Sequence, residues 1–210
     1  MEKQTINILA TGFMPFNNET INPSYEALKR LSQNWDPNKG KLTVIELPVS
    51  YEKAPRILIE HIQKLRPDYV IFVGQAGSRQ GITPEKIAVN WKEATIKDSE
   101  GYTAAGEKIR ADGEDGLFTT LPIKEMVQNI KKRKIPASVS YSAGTYVCNT
   151  LMYCVLDWIR QNKEFSNIQA GFIHVPYLTE QILDKPGLPS LSLEQITQGL
   201  EAAFEVLNRQ

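Results

Sequence analysis

The chain has 210 residues, enough for one α/β domain with a sizeable core and cramped for two. It is 41% hydrophobic and 23% charged, ordinary values for a soluble globular protein. Lys+Arg and Asp+Glu number 24 each, so no charge excess recruits nucleic acid or an anionic membrane surface.

Residues 1–5 carry no basic segment followed by an apolar stretch, so no signal peptide is read and a cytoplasmic location is expected. No apolar run is long enough to span a bilayer. Ile6 to Thr11 reads as a strand that leads into Gly12-Phe13. Asn22-Pro23-Ser24 opens a helix, with Asn as N-cap and Pro at the first helical position. A strand over Thr43 to Val49 and a helix over Pro55 to Leu65 follow. Tyr69-Val70-Ile71-Phe72-Val73 is apolar throughout, the pattern of a strand buried on both faces. It ends in Gly74-Gln75-Ala76-Gly77. Ile87 to Trp91 is a short strand, Ile123 to Lys132 a helix, and Ala137 to Tyr141 another strand. The longest helix runs from about Gly144 to Gln161 and is apolar on most sides, which predicts burial. Ile168 to Val175 is the last clear strand, and Ser192 with Gln195 forms a capping box for the final helix.

This alternation predicts a mostly parallel sheet with helices on both faces, in a single domain over residues 1–210. Lys97 to Gly116 breaks the rhythm: it is polar, Gly-rich and without periodicity, so it reads as a functional lid or a disordered loop.

In parallel α/β sheets ligands bind beyond the carboxyl ends of the strands. Four clusters fall there: Gly12 to Phe16, Gly74 to Arg79, Tyr141 to Cys148, and His174. Cys148 lies near a helix N-terminus, where the dipole and free N–H groups favour a thiolate. It is a candidate nucleophile or a buried structural cysteine. Cys154, six residues on among Leu151, Val155 and Trp158, reads as core. Of the two histidines, His61 sits among polar neighbours on a helix, whereas His174 ends an apolar strand and needs a partner. It is a candidate base or a hydrogen-bonded structural residue. Glu85 is a candidate third member to orient the imidazole, and equally a solvated carboxylate. Gln75 reads as a ligand contact or a turn cap. The Cys and His residues do not cluster as zinc ligands, and no complete phosphate-binding glycine fingerprint is present, so neither metal nor cofactor is expected.

Taken together, the motifs resemble the pyroglutamyl peptidase type I family of cysteine peptidases. They are Gly12-Phe13-x-Pro15-Phe16, Gly74-Gln75-Ala76-Gly77-x-Arg79, Glu85, Ser142-Ala143-Gly144-Thr145-Tyr146-Val147-Cys148-Asn149 and Gly171-Phe172-Ile173-His174-Val175-Pro176. The resemblance implies a three-layer α/β/α sandwich and a Cys148, His174, Glu85 triad. It implies substrate-binding positions at Phe13, Phe16, Gln75 and Val147. It also implies pyroglutamyl-blocked peptides as substrates, no cofactor, a cytoplasmic site and a homotetramer. The chain departs from the family pattern at Asn17-Asn18, where two glycines are usual, and at Glu93-Ala94-Thr95, where Asp-Ala-Arg is usual. Lys97 and Ser99 stand where Pro and Asn often follow. The alternative is a pyroglutamyl-peptide binding protein on the same fold, impaired in catalysis.

Overall fold

A run such as Tyr69 to Val73 has no polar side to offer water, and the chain covers it on both faces. The structure is a computed structural model that describes residues 5–209. Residues 1–4, read above for a leader, lie outside it. In chain order the elements are β1 (Asn7–Phe13), α1 (Pro23–Gln33), β2 (Lys41–Leu47), α2 (Lys53–Leu65) and β3 (Tyr69–Gln75). The short strands β4 (Thr83–Pro84), β5 (Ile87–Val89), β6 (Lys92–Glu93), β7 (Ala105–Glu107) and β8 (Gly116–Phe118) come next. Then follow α3 (Ile123–Lys132), α4 (Val147–Gln161), β9 (Gln169–Val175), β10 (Tyr177–Leu178), β11 (Ser190–Leu191) and α5 (Leu193–Phe204).

The central sheet has the order β2-β1-β3-β9-β4. All its pairs are parallel except β4 against β9. Successive residues of β3 enter opposite cores, as the two-residue period of a strand requires. Ile71 and Val73 join Leu28, Met126, Ile130, Leu200 and Phe204 from α1, α3 and α5. Val70 and Phe72 join Leu58, Ile62, Leu151 and Val155 from α2 and α4. The result is the three-layer α/β/α sandwich expected. Caps behave as read: Asn22 Oδ1 accepts from Ser24 N–H at 3.1 Å, and Ser192 and Gln195 close a capping box.

Three expectations are corrected. Ala137 to Tyr141 is not a strand: it makes only isolated bridges, Ile82 with Ala137 and Glu85 with Ser140. The segment it runs beside carries Pro84, which has no N–H to extend a ladder. Lys97 to Gly116 is not structureless, because β7 pairs with β6 and Gly116 opens β8 against β5. Buried Asp98 accepts from the N–H groups of Tyr51 (3.1 Å), Glu100 (2.9 Å) and Tyr102 (3.0 Å). Asn90 bonds both backbone groups of Arg110. Polar side chains do there what an apolar stripe does in a helix, so periodicity does not reveal it. Finally, α4 starts at Val147, three residues later than read, after a turn in which Gly144 has φ +77°. That left-handed backbone suits glycine.

Candidate active site

β1, β3 and β9 run parallel and end at Phe13, Gln75 and Val175, so their carboxyl ends share one edge. His174, next to last in β9, lies between Gly74 of β3 and Thr83 of β4. Glu85 follows β4 directly, and its N–H donates to Phe172 O at 2.8 Å. This register brings the two side chains together: His174 Nδ1–H donates to Glu85 Oε1 at 2.7 Å. Glu85 is 0% and His174 4% exposed. The imidazole also packs on the Phe172 ring, centroids 4.6 Å apart. A carboxylate without water is costly unless charges and donors face it. Arg79 Nη2 supplies both, 3.2 Å from Glu85 Oε1, while also donating to Ser142 O at 2.8 Å. Glu85 Oε2 has no partner among the described residues.

Cys148 is the second residue of α4 and half-buried. It shares a cleft of about 810 Å³ with His174, Gln75, Arg79, Ser142, Gly144 and Tyr146. Burial pushes the Cys148 thiol up from 9.0 to about 12, helped by the Glu85 carboxylate and opposed by the cysteine's own backbone N–H. The helix N-terminus was expected to favour a thiolate. Desolvation outweighs it, so the resting group is the thiol.

The other expected positions divide. Gln75 lines the cleft, and its Oε1 accepts from Gln181 Nε2 at 3.1 Å. Phe13 (2% exposed) and Val147 (0%) belong to the core under α2 and α4, and Phe13 stacks on Phe172 at 6.4 Å. Phe16 is half-buried, 6.4 Å from the Tyr146 ring. His61 is half-buried, with Nδ1 2.9 Å from Ile57 O. Cys154 is not plain core: it lines a separate cavity of about 410 Å³ with Tyr51 and Tyr102, and burial pushes its thiol up to about 11. Among the described residues no group of three or more His, Cys, Asp or Glu is placed to hold a metal ion.

The departures have structural readings. Asn17 and Asn18 sit at φ +53° and +65°, the conformation that favours Gly and tolerates Asn. Thr95 is exposed. The segment before it is tied to the cleft wall, since Glu93 N–H donates to Thr145 O at 3.0 Å and Thr145 Oγ1 donates to Glu93 O at 2.7 Å. Tyr146 Oη, in turn, donates to Lys97 O at 2.8 Å. Sequence reasoning noted Arg79 but not its link to Glu85, and it missed Gln181. No local pattern announces either contact.

Comparison with known proteins places the chain in a family. A family model described as pyroglutamyl peptidase matches residues 6–210. The pyrrolidone-carboxylate peptidase of Lactobacillus johnsonii is 46% identical over 96% of this chain and 92% of that protein. That of Thermosipho africanus is 47% identical over 96% and 97%. The crystal structure of pyroglutamyl peptidase I from Bacillus amyloliquefaciens superposes with a TM-score of 0.93 at 44% identity, covering 99% of this chain and 97% of that one. The chain therefore belongs to the pyroglutamyl peptidase family.

Proposed function

We propose that this chain is a cysteine peptidase that removes an N-terminal pyroglutamyl residue from peptides, with Cys148 as nucleophile, His174 as general base and acid, and Glu85 as the group that orients the imidazole. One observation carries it: the buried 2.7 Å contact of His174 with Glu85, where His174 lines the cleft that also holds Cys148. Glu85 occupies Nδ1, which leaves His174 Nε2 for the thiol.

At neutral pH the thiol is protonated, so its proton passes to Nε2 as Sγ bonds to the pyroglutamyl carbonyl carbon. The oxyanion meets free N–H groups at the start of α4, that of Cys148 among them. His174 then returns the proton to the leaving amine as the C–N bond breaks. Water, deprotonated by His174, cleaves the thioester and restores the thiol. Glu85 stabilises the imidazolium in both halves, and Arg79 pairs with the buried carboxylate.

The lactam ring is neutral, compact and partly apolar. Phe13 and Phe16 are proposed as its walls, with Gln75 as its polar contact and Val147 behind them. A free amine is excluded because a buried unpaired ammonium is costly. The same reading carries one peptidase domain and a homotetramer acting in the cytoplasm on pyroglutamyl-blocked peptides.

The test is release of a fluorescent amine from a pyroglutamyl amide. Wild type is expected to turn over and Cys148→Ala to lose at least about a thousandfold. The matching glutaminyl amide is expected to be a poor substrate. Equal turnover of the two amides, or an active Cys148→Ala, overturns the assignment. Lactam binding without turnover by folded wild type supports the binding-protein alternative.

A further inference from the structure

An amide side chain has a donor face and an acceptor face, and which one Gln75 turns to the cleft decides what the cleft reads. We infer that Gln181 is a specificity-determining positioning residue. It engages Gln75 Oε1, so that Gln75 Nε2 faces the cleft and the site takes the lactam through its ring carbonyl. This rests on the peptidase reading above and specifies how that site recognises its substrate.

The orientation of Gln181 follows from groups of fixed polarity. Leu178 N–H, which can only donate, lies 2.9 Å from Gln181 Oε1. Gln181 Nε2 lies 3.1 Å from Glu19 Oε2 and 3.4 Å from Ile21 O, neither of which donates. Glu19 also pairs with Lys185. A flipped Gln181 would set its oxygen against a carboxylate and a carbonyl, and its NH2 against an N–H. Gln181 is 7% exposed, so water does not replace those bonds, and each unmet group costs about 1–3 kcal/mol.

With Gln181 fixed, the atom of Gln75 that meets Nε2 at 3.1 Å is the oxygen. Gln75 lines the cleft and therefore presents N–H donors to it. A ring carbonyl satisfies them. An N-terminal prolyl ring has no carbonyl there and brings N–H donors of its own, so the same polarity rejects it. The segment after β9 thus reaches the site through Gln181, although Gln181 is not among the residues lining the cleft.

The experiment is a double-mutant cycle on the pyroglutamyl amide with Q75L, Q181M and the double variant, each checked by thermal unfolding. Q181M is expected to raise KM about tenfold and leave kcat within about twofold, the loss of one oriented hydrogen bond. The double variant is expected to resemble Q75L, because Gln181 acts through Gln75. A Q181M KM within twofold of wild type, or effects that multiply, overturns the inference. If Q181M unfolds, Q181E takes its place. It keeps an acceptor for Leu178 N–H but lets Gln75 turn its oxygen to the cleft, so KM is again expected to rise, and an unchanged KM overturns the inference. Cyclopentanone, a ring carbonyl without an N–H, is expected to compete in wild type, whereas competition by 2-pyrrolidinone alone overturns the carbonyl assignment. An active wild type with an indifferent Q181M removes only the role of Gln181. A wild type without turnover removes the peptidase reading and this inference with it.

Discussion

Gly74 and Cys148 pack without room for a methyl group between them: a β-carbon at position 74 would lie 3.0 Å from Cys148 Sγ and 2.7 Å from Phe172 Cζ. β3 therefore sets where the sulfur stands, and Phe172 in turn supports the His174 ring. Gly74→Ala is expected to cost about 1–3 kcal/mol by overpacking. It is also expected to displace the thiol from its working position, lowering kcat more than tenfold, about the effect of a small misplacement of a reacting group. Urea unfolding and amide turnover measure the two effects, and full activity would show that the sulfur is not so constrained.

Stability should fall in alkali through the same thiol. Its folded value of about 12 exceeds the ordinary 9.0. Below pH 9 both states hold the proton. Between about 9 and 12 the unfolded chain releases it while the native state keeps it. The native state then binds more protons, so unfolding becomes easier as pH rises through that window. Cys154, raised to about 11, acts in the same direction. Urea midpoints between pH 8 and 11 should fall less in Cys148→Ala than in wild type, and parallel curves would contradict the burial argument.

Glu85→Gln retains shape but removes the charge that stabilises the imidazolium. By analogy with other triads kcat should drop about a hundredfold to ten-thousandfold. Arg79→Met leaves Glu85 facing His174 alone and leaves Ser142 O with Ser140 Oγ as its donor, and more than about a tenfold loss of kcat/KM is expected. Arg79→Lys should recover only part of it, because a compact, strongly hydrated ammonium is a poorer partner for a buried carboxylate than a guanidinium. Steady-state kinetics on all three decides, and an indifferent Arg79→Met removes the residue from the site.

Asn17 and Asn18 offer a test of backbone compatibility. Replacing either with Gly should be nearly neutral. Asn18→Val should cost about 1–2 kcal/mol, since a β-branched residue resists φ +65°. The turn adjoins Phe16, and Glu19 N–H donates to Phe16 O at 3.1 Å, so the amide KM should rise with the strain. Thermal unfolding beside KM values would show whether the two changes move together.

Periodicity and capping determined much of this molecule before any contact was known. The wholly apolar β3, the capped starts of α1 and α5 and the strand–helix alternation led to the layered sandwich. Each is a local property, written within a few residues. The order and spacing of short motifs likewise marked Cys148, His174 and Glu85. Partnership is a different kind of information. Glu85 meets His174 across 89 residues, and Gln181 meets Gln75 across 106, because β9 lies between β3 and β4 and the chain after it returns to the end of β3. Arg79 stands only six residues from Glu85, yet its contact depends on how that loop folds back. The burial of the thiol is likewise not a local property. A helix start is visible in sequence and suggests a thiolate, whereas the desolvation that opposes it exists only once the sheet and Tyr146 have closed around the sulfur. Local propensity is additive along the chain, but burial and polarity at a site are set by everything packed against it, and only the tertiary structure assembles that.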